Sequence, residues 1–476
     1  MFEGLILLLY FFKRGSLMTN NNDTQETRPP VLSRVLQSIQ RDPLPPSDDR
    51  GRMRFVMNSL ILHIHPTKVN KPALKFSYTF GLGGLLILLS AILAVTGVLL
   101  IFVYTPSPDA AYESMIALQT EIYFGNLVRN LHHWSGNLMV IVGVFHLLRV
   151  FYTHGFSPPR EFNWVMGVAL LILIVAANFT GYLLPWDQLA YWAVTVGTSL
   201  LGYIPWIGEP LTRLLLGGPE VGAATLTNFY GLHIALIPLG IFAIVSFHIW
   251  RVRKDTITIP RGIDQEAVKE KATTIPHLIS IEMVFALVWL ALLIAWSAFV
   301  NAPLEEAANP ALSPNPAKAA WYFMGFQELL LHFHPVFGAI IIPGLGLAAL
   351  LLLPYLDRDM AAAGVWFRSI KGRWLTFLSF VLGISGTLTF IWLDEYWLDL
   401  PGWLPFLPSS ISNGWVPLSG LLLLLIGYNE LLKIFGSKSC EARQAIFTLL
   451  LASFITLTAI GIFFRGEGMT LLIPWS

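Results

Sequence analysis

The chain is short of charge. Only 12% of its 476 residues are Asp, Glu, Lys or Arg, about half of the roughly 25% that an ordinary soluble domain carries, and this excludes a fold whose whole exterior faces water. Cysteine is almost missing as well: Cys440 stands alone, so the chain has no internal disulfide framework and no paired-cysteine cofactor attachment motif. Nor is there an excess of either sign, since the net charge is +1, and the basic residues are accounted for by membrane topology, which leaves no nucleic-acid signature. In place of charge there is apolar bulk, with 55% hydrophobic residues and a mean hydropathy of +0.63. Such a chain lives in a lipid bilayer.

A helix crosses the hydrocarbon core with roughly 20 mainly apolar residues. Nine runs qualify, at 77–104, 125–151, 163–184, 224–250, 278–300, 335–356, 374–394, 415–435 and 445–465. They predict an all-α membrane protein with about nine transmembrane helices. Lys and Arg are retained on the cytoplasmic side, and with the amino terminus inside, every basic residue of the 30 except Arg129, Arg213, Lys318 and Arg465 falls on that side. The carboxyl terminus is then outside and Cys440 lies in the inside loop before the last helix. Residues 1–12 are apolar but too short to span, and read as a signal-like segment or as an over-extended start upstream of Met18. Residues 19–50, rich in Asn, Asp, Pro and Arg, predict a disordered inside tail, and 53–65 a segment along the membrane surface.

Ionisable residues inside spanning helices are costly and mark function. Four histidines qualify: His132 and His146 on the second helix, His233 and His248 on the fourth. A spacing of 14 residues keeps the first two rings on one face, about 21 Å apart along the axis, and a spacing of 15 rotates the second ring of the other pair by only about 60°. A lone buried histidine is more often a satisfied core residue than a ligand. Two matched pairs on two helices reverse that judgement, because two facing imidazoles make a six-coordinate heme site. Both helices run from outside to inside, so His132 pairs with His233 near the outer face and His146 with His248 near the inner face. His133 points about 140° away from His146 and is left unliganded.

The neighbouring helices repeat the period. Gly83 and Gly97 on the first, and Gly167 and Gly181 on the third, are each 14 apart. Any one glycine merely lets backbones approach, but two pairs at the histidine spacing leave room for a flat macrocycle at each depth. Arg129 and Arg149, each three residues from a proposed ligand, are placed to pair with propionates or to anchor the interface.

With Leu131-His132-His133-Trp134-Ser135, Pro158-Pro159-Arg160-Glu161 and Gly181-Tyr182-Leu183-Leu184-Pro185-Trp186-Asp187-Gln188, the chain resembles cytochrome b of bc-type complexes over roughly residues 70–360, most closely the chloroplast-type form joined to subunit IV. The resemblance implies an amino-terminal four-helix bundle holding two non-covalent b-type hemes, a quinol-oxidising pocket near the outer heme and a quinone-reducing pocket near the inner one. It also implies bifurcated electron transfer with proton translocation, to a Rieske iron-sulfur protein and c-type cytochrome, in a dimeric multi-subunit complex of an energy-transducing membrane such as a bacterial inner membrane. The parts are then a tail (1–57), the diheme domain (58–260), a subunit IV-like region (261–360) and additional helices (361–476).

Three departures stand out. The cysteine that attaches an extra heme in chloroplast-type proteins aligns with Gly81. The family's Pro-Glu-Trp-Tyr reads Ala319-Ala320-Trp321-Tyr322, so the aromatic half survives and the carboxylate does not. The last helices and the tail Ile473-Pro474-Trp475-Ser476 exceed subunit IV. Trp321 and Tyr322 are the expected pocket walls, with an interfacial aromatic belt as the alternative. Of the acids near the pocket, Glu328 is the candidate proton acceptor, and Asp187 serves the pocket or caps the next helix. Two rivals share the histidines: a diheme membrane anchor of a dehydrogenase or hydrogenase, which leaves the 181–188 and 321–322 motifs unexplained, and a heme-free transporter using them as proton relays.

Overall fold

The computed structural model describes residues 31–39, 48, 51, 68–259, 270–273, 277–357 and 359–472. Among them, nine helices are long and apolar enough to span a membrane: α1 (Leu82–Ile101), α2 (Gly125–Tyr152), α3 (Glu161–Leu183), α4 (Ala223–Asp255), α5 (Ile279–Phe299), α6 (Val336–Leu356), α7 (Ile370–Tyr396), α8 (Ile411–Ile434) and α9 (Ser439–Phe463). These helices are apolar nearly all round, as lipid-facing helices must be, and side chains such as Leu239, Val284 and Leu424 stand exposed. Inner and outer below denote the two ends of the bundle, the connections 152–160 and 357–369 being at the inner end.

The observed elements depart from the sequence expectation in two places. Within the tail expected to be disordered, Val31–Ile39 is a helix. Val31, Leu32, Val35, Leu36 and Ile39 recur at helical spacing on one face, a periodicity that the polar composition of the surrounding tail conceals. The last helix starts six residues earlier than its apolar run, because Glu441 accepts from the backbone N–H of Lys438 and caps its first turn. Cys440 therefore sits in that first turn rather than in a loop. Residues 1–12, 53–65 and 473–476 lie outside the described residues.

Packing divides the bundle. α1 lies against α2, α3 against α4, and α7 against α9. In the last pair Gly383 lets the backbones meet: a Cβ there would come 2.5 Å from the carbonyl oxygen of Leu449. At the outer end the helix Gln188–Leu201 buries Ala190 and Val194 beside Trp186, Leu226 and Phe229. A short helix, Met324–His332, rests on α9 with Met324 against Gly461. At the inner end a two-stranded antiparallel ladder, Lys68–Asn70 with Lys271–Thr273, ties the start of α1 to the connection before α5.

Candidate functional site

The four histidines and four glycines meet one to one. A Cβ added at Gly97 would come 3.3 Å from Cε1 of His132, and one at Gly181 would come 2.6 Å from Cε1 of His233. At the inner level, one at Gly83 would lie 3.6 Å from Cε1 of His146 and one at Gly167 3.7 Å from Cε1 of His248. Helix α1 thus serves both rings of α2, and α3 serves both rings of α4.

The 15-residue spacing on α4 has a structural cause. The segment Leu232–Leu236 is a wide π-type turn followed by Pro238, and such a turn inserts one extra residue into an α-helix. His233 and His248 are brought back toward the register of a 14-residue pair. The helix period alone leaves them about 60° apart, and the extra residue of the bulge works against that difference.

Ring orientation is set at the outer level. Thr96 Oγ1 donates to the carbonyl of Ile92 at 2.7 Å and lies 2.9 Å from Nδ1 of His132. His233 Nδ1 lies 3.0 Å from the carbonyl of Ala177 and 3.2 Å from Thr180 Oγ1. With Nδ1 donating in both, Nε2 carries the free lone pair, and the two ring centroids are 6.1 Å apart. Nδ1 of His248, at the inner level, is buried without a hydrogen-bond partner. Nε2 of His133 is instead committed, accepting from Asn137 Nδ2 at 3.1 Å. At the outer level the imidazoles have one nitrogen anchored and the other free, and at both levels they are set over glycines, which fits bis-imidazole ligation of heme iron.

The two arginines differ. Arg129 donates to the carbonyls of Ala302 at 2.9 Å and Pro303 at 2.7 Å, clamping the segment after α5. Arg149 donates from Nε to the carbonyl of Tyr78 at 2.9 Å and lies over the Tyr78 ring, while its buried Nη2 has no partner. Arg149 retains a donor for an anion; Arg129 has a backbone to hold.

Near the outer end, Trp321 donates from Nε1 to Asn137 Oδ1 at 2.6 Å, so the surviving aromatic pair is tied to α2. The hydroxyl of Tyr322 is buried without a partner, and burial, with Tyr182 adding to it, pushes its phenol pKa up. Asp187 does cap the next helix, accepting from the Ala190 N–H at 2.9 Å, and its other oxygen accepts from the Glu305 N–H at 3.1 Å. Burial pushes this carboxyl up.

Glu328 departs from the expectation of an open proton acceptor. It is fully buried, and Arg465 donates to it from Nη2 at 2.6 Å and from Nε at 3.1 Å. Its other neighbour is His332, whose Nε2 lies 3.3 Å away and whose Nδ1 lies 2.6 Å from Asp394; Arg465 Nη1 also reaches Glu395 at 2.9 Å. Burial raises the Glu328 pKa, but His332 and Arg465 outweigh it and hold the group below the usual carboxylate range. The carboxylate is locked in an ion pair, which is the physical reason it is a poor base. Sequence reasoning missed Arg465 because the pairing spans 137 positions; its place as one of only four basic residues on the outer side was the available signal.

Two family profiles match the chain. One described as Cytochrome b/b6/petB covers residues 68–256, and one described as Cytochrome b(C-terminal)/b6/petD covers 307–395. The chain is 36% identical over 311 residues to a cytochrome bc complex cytochrome b subunit of Chlorobaculum thiosulfatiphilum, covering 64% of this chain and 72% of the relative. It is 38% identical over 215 residues to a menaquinol:cytochrome c reductase cytochrome b subunit of Bacillus subtilis, covering 45% of this chain and 96% of the relative. In fold it is similar to a chain of a hyperthermophilic respiratory Complex III, with a TM-score of 0.60 and 24% identity over 87% of this chain and 98% of that one.

Proposed function

This chain belongs to the cytochrome b/b6 family, and from that premise we infer that it is the cytochrome b subunit of a bc-type quinol:cytochrome c reductase, a multi-pass membrane protein that carries b-type heme. The finer reading is two non-covalent hemes, one between His132 and His233 at the outer level and one between His146 and His248 at the inner level. The observation that supports it is the one-to-one register of Gly97, Gly181, Gly83 and Gly167 on those four rings. Heme held between two imidazoles supplies reversible one-electron transfer.

The chain's own residues do the rest. Thr96, and Ala177 with Thr180, hold the outer rings in the tautomer that keeps Nε2 free. Arg149 offers Nη2 to a propionate. A membrane quinol is oxidised at the outer end against Trp321 and Tyr322, where the buried Tyr322 hydroxyl, without a partner in the protein, is a hydrogen-bond donor to the substrate oxygen. Asp187 positions the 305–309 segment beside that pocket. Quinone is reduced at the inner end, and a Rieske protein and a c-type cytochrome accept electrons outside, in a dimeric complex. The charge asymmetry supports an amino terminus inside, in a bacterial inner membrane.

A pyridine-hemochrome assay on the purified complex, normalised to this chain, is expected to give two b hemes; one or none would overturn the diheme reading. An alkaline-phosphatase fusion after Ser476 is expected to be active outside the membrane. Activity only inside would remove one crossing.

A further inference from the structure

At the inner end, on the side of the bundle away from the quinol pocket, three side chains of different types converge from three segments. His154 follows α2, Asp357 follows α6 and Cys440 opens α9. Their side chains are 1–2% exposed, and one ligand atom from each lies within 4.8 Å of the others. Cys440 Sγ is 3.6 Å from Nδ1 of His154, and Nε2 of His154 is 3.4 Å from Asp357 Oδ1 without forming a hydrogen bond. We propose that His154, Asp357 and Cys440 bind one divalent transition-metal cation of the zinc class, which joins the diheme half of the chain to the carboxyl-terminal helices.

The donor set suits this ion. Thiolate, imidazole and carboxylate are the zinc ligands. An ion takes one nitrogen of His154, so of the contacts at Nδ1 and Nε2 only one lies between its ligands, the other separations staying within 4.8 Å; closing them to about 3.5 Å gives a tetrahedral site with metal–ligand distances of about 2.0–2.3 Å. Surrounding groups orient the ligands, as they do in structural metal sites. Arg443 Nη2 donates to Asp357 Oδ1 at 2.6 Å, and the Phe156 ring lies beside His154. The 364–367 segment is held to the end of α2 by the backbone bonds Gly364 N–H to Thr153 and Phe367 N–H to Tyr152. Gln444 lies one turn after Cys440 on the same helix, 1% exposed, with neither amide atom hydrogen-bonded.

The carboxylates of Asp357, Asp359 and Glu441 gather around these ligands, with Arg368 and Arg443 among their partners, an acidic surrounding that suits a divalent cation. An ion-free network of thiol, imidazole and carboxylate is the alternative.

The test is the zinc content of the whole complex, purified without chelators, measured by mass spectrometry against protein and kept separate from heme iron. About one zinc per chain is expected, with a sulfur in its first coordination sphere by X-ray absorption. Cys440→Ser and His154→Gln are expected to lose the zinc while keeping the heme content of the parent. Absence of zinc from the parent, both as isolated and after incubation with equimolar zinc, would overturn the proposal in favour of the ion-free network. Zinc retained in both variants, or bound without sulfur, would do so as well, by placing the ion elsewhere. Where a variant does not assemble, the absorption spectrum of the parent decides alone. Heme content is read independently, so a failure here is distinct from a failure of the diheme reading.

Discussion

Two regions of this chain bury polar side chains and treat them in opposite ways. At the outer level between α2 and α4, His132 and His233 each anchor Nδ1 and leave Nε2 uncommitted over a glycine. At the outer ends of α7 and α9, Glu328, His332, Asp394, Glu395 and Arg465 spend their charges on one another. Free lone pairs beside a space that side chains leave open describe a ligand site. A saturated network describes a joint. The contrast also gives α9 a role, since Arg465, just past it, neutralises a buried carboxylate on the short helix that follows Trp321 and Tyr322.

If that contrast is right, His233→Leu takes one of two hemes with it and abolishes quinol:cytochrome c turnover, because no other imidazole stands at that depth on α4. His133→Leu keeps both hemes, since its Nε2 already serves Asn137. Heme counted per chain decides between them, and full heme content in the His233 variant would refute the pairing.

In the saturated region the loss is of stability. Arg465→Met strands a buried carboxylate, at a cost of about 3–5 kcal/mol, while the heme content of assembled protein stays that of the parent. Glu328→Gln costs less, and the double variant less than the two single losses together; denaturant unfolding of the complex measures all three. The pH profile of quinol oxidation in Glu328→Gln is expected to match the parent. A displaced profile with intact hemes would restore Glu328 as the proton acceptor. Stability of the joint depends on pH from both sides. The lowered Glu328 pKa contributes stability above the ordinary 4.5 that is lost as pH falls through the folded value, and the raised His332 pKa contributes stability below 6.5 that is lost as pH rises through its folded value. The joint is therefore strongest between those two values.

Much of the first region was legible in the sequence because it is periodic. Spanning runs, histidines at 14 and 15 and glycines at 14 are local patterns, and a helix turns a local pattern into a face. Even there the 15-residue spacing misled the helical wheel, since the π-type turn at 232–236 has no periodic signature. In the second region legibility failed. Glu328 and Arg465 are brought together by tertiary packing alone, and so are His154, Asp357 and Cys440, each of which reads as an isolated residue in a loop or helix start. Position along the chain carries no trace of contacts between α2, α6 and α9.

The smallest effect tests how the free nitrogen of the first region is maintained. His132 Nδ1 has one side-chain acceptor, Thr96, whereas His233 Nδ1 has both the Ala177 carbonyl and Thr180. Thr96→Val deletes the hydrogen bond that orients the His132 ring and keeps the volume; Thr180→Val leaves its ring a backbone acceptor. Donation from Nδ1 raises the basicity of the opposite nitrogen, and losing it weakens a metal ligand about 10-fold in affinity. A less basic imidazole stabilises ferric iron less, so the midpoint potential of the outer heme is expected to rise in Thr96→Val and to move less in Thr180→Val, with two hemes retained in both. Redox titration of the purified complex resolves the two variants. Equal shifts, or a larger one in Thr180→Val, would show that Thr96 does not set the His132 ring.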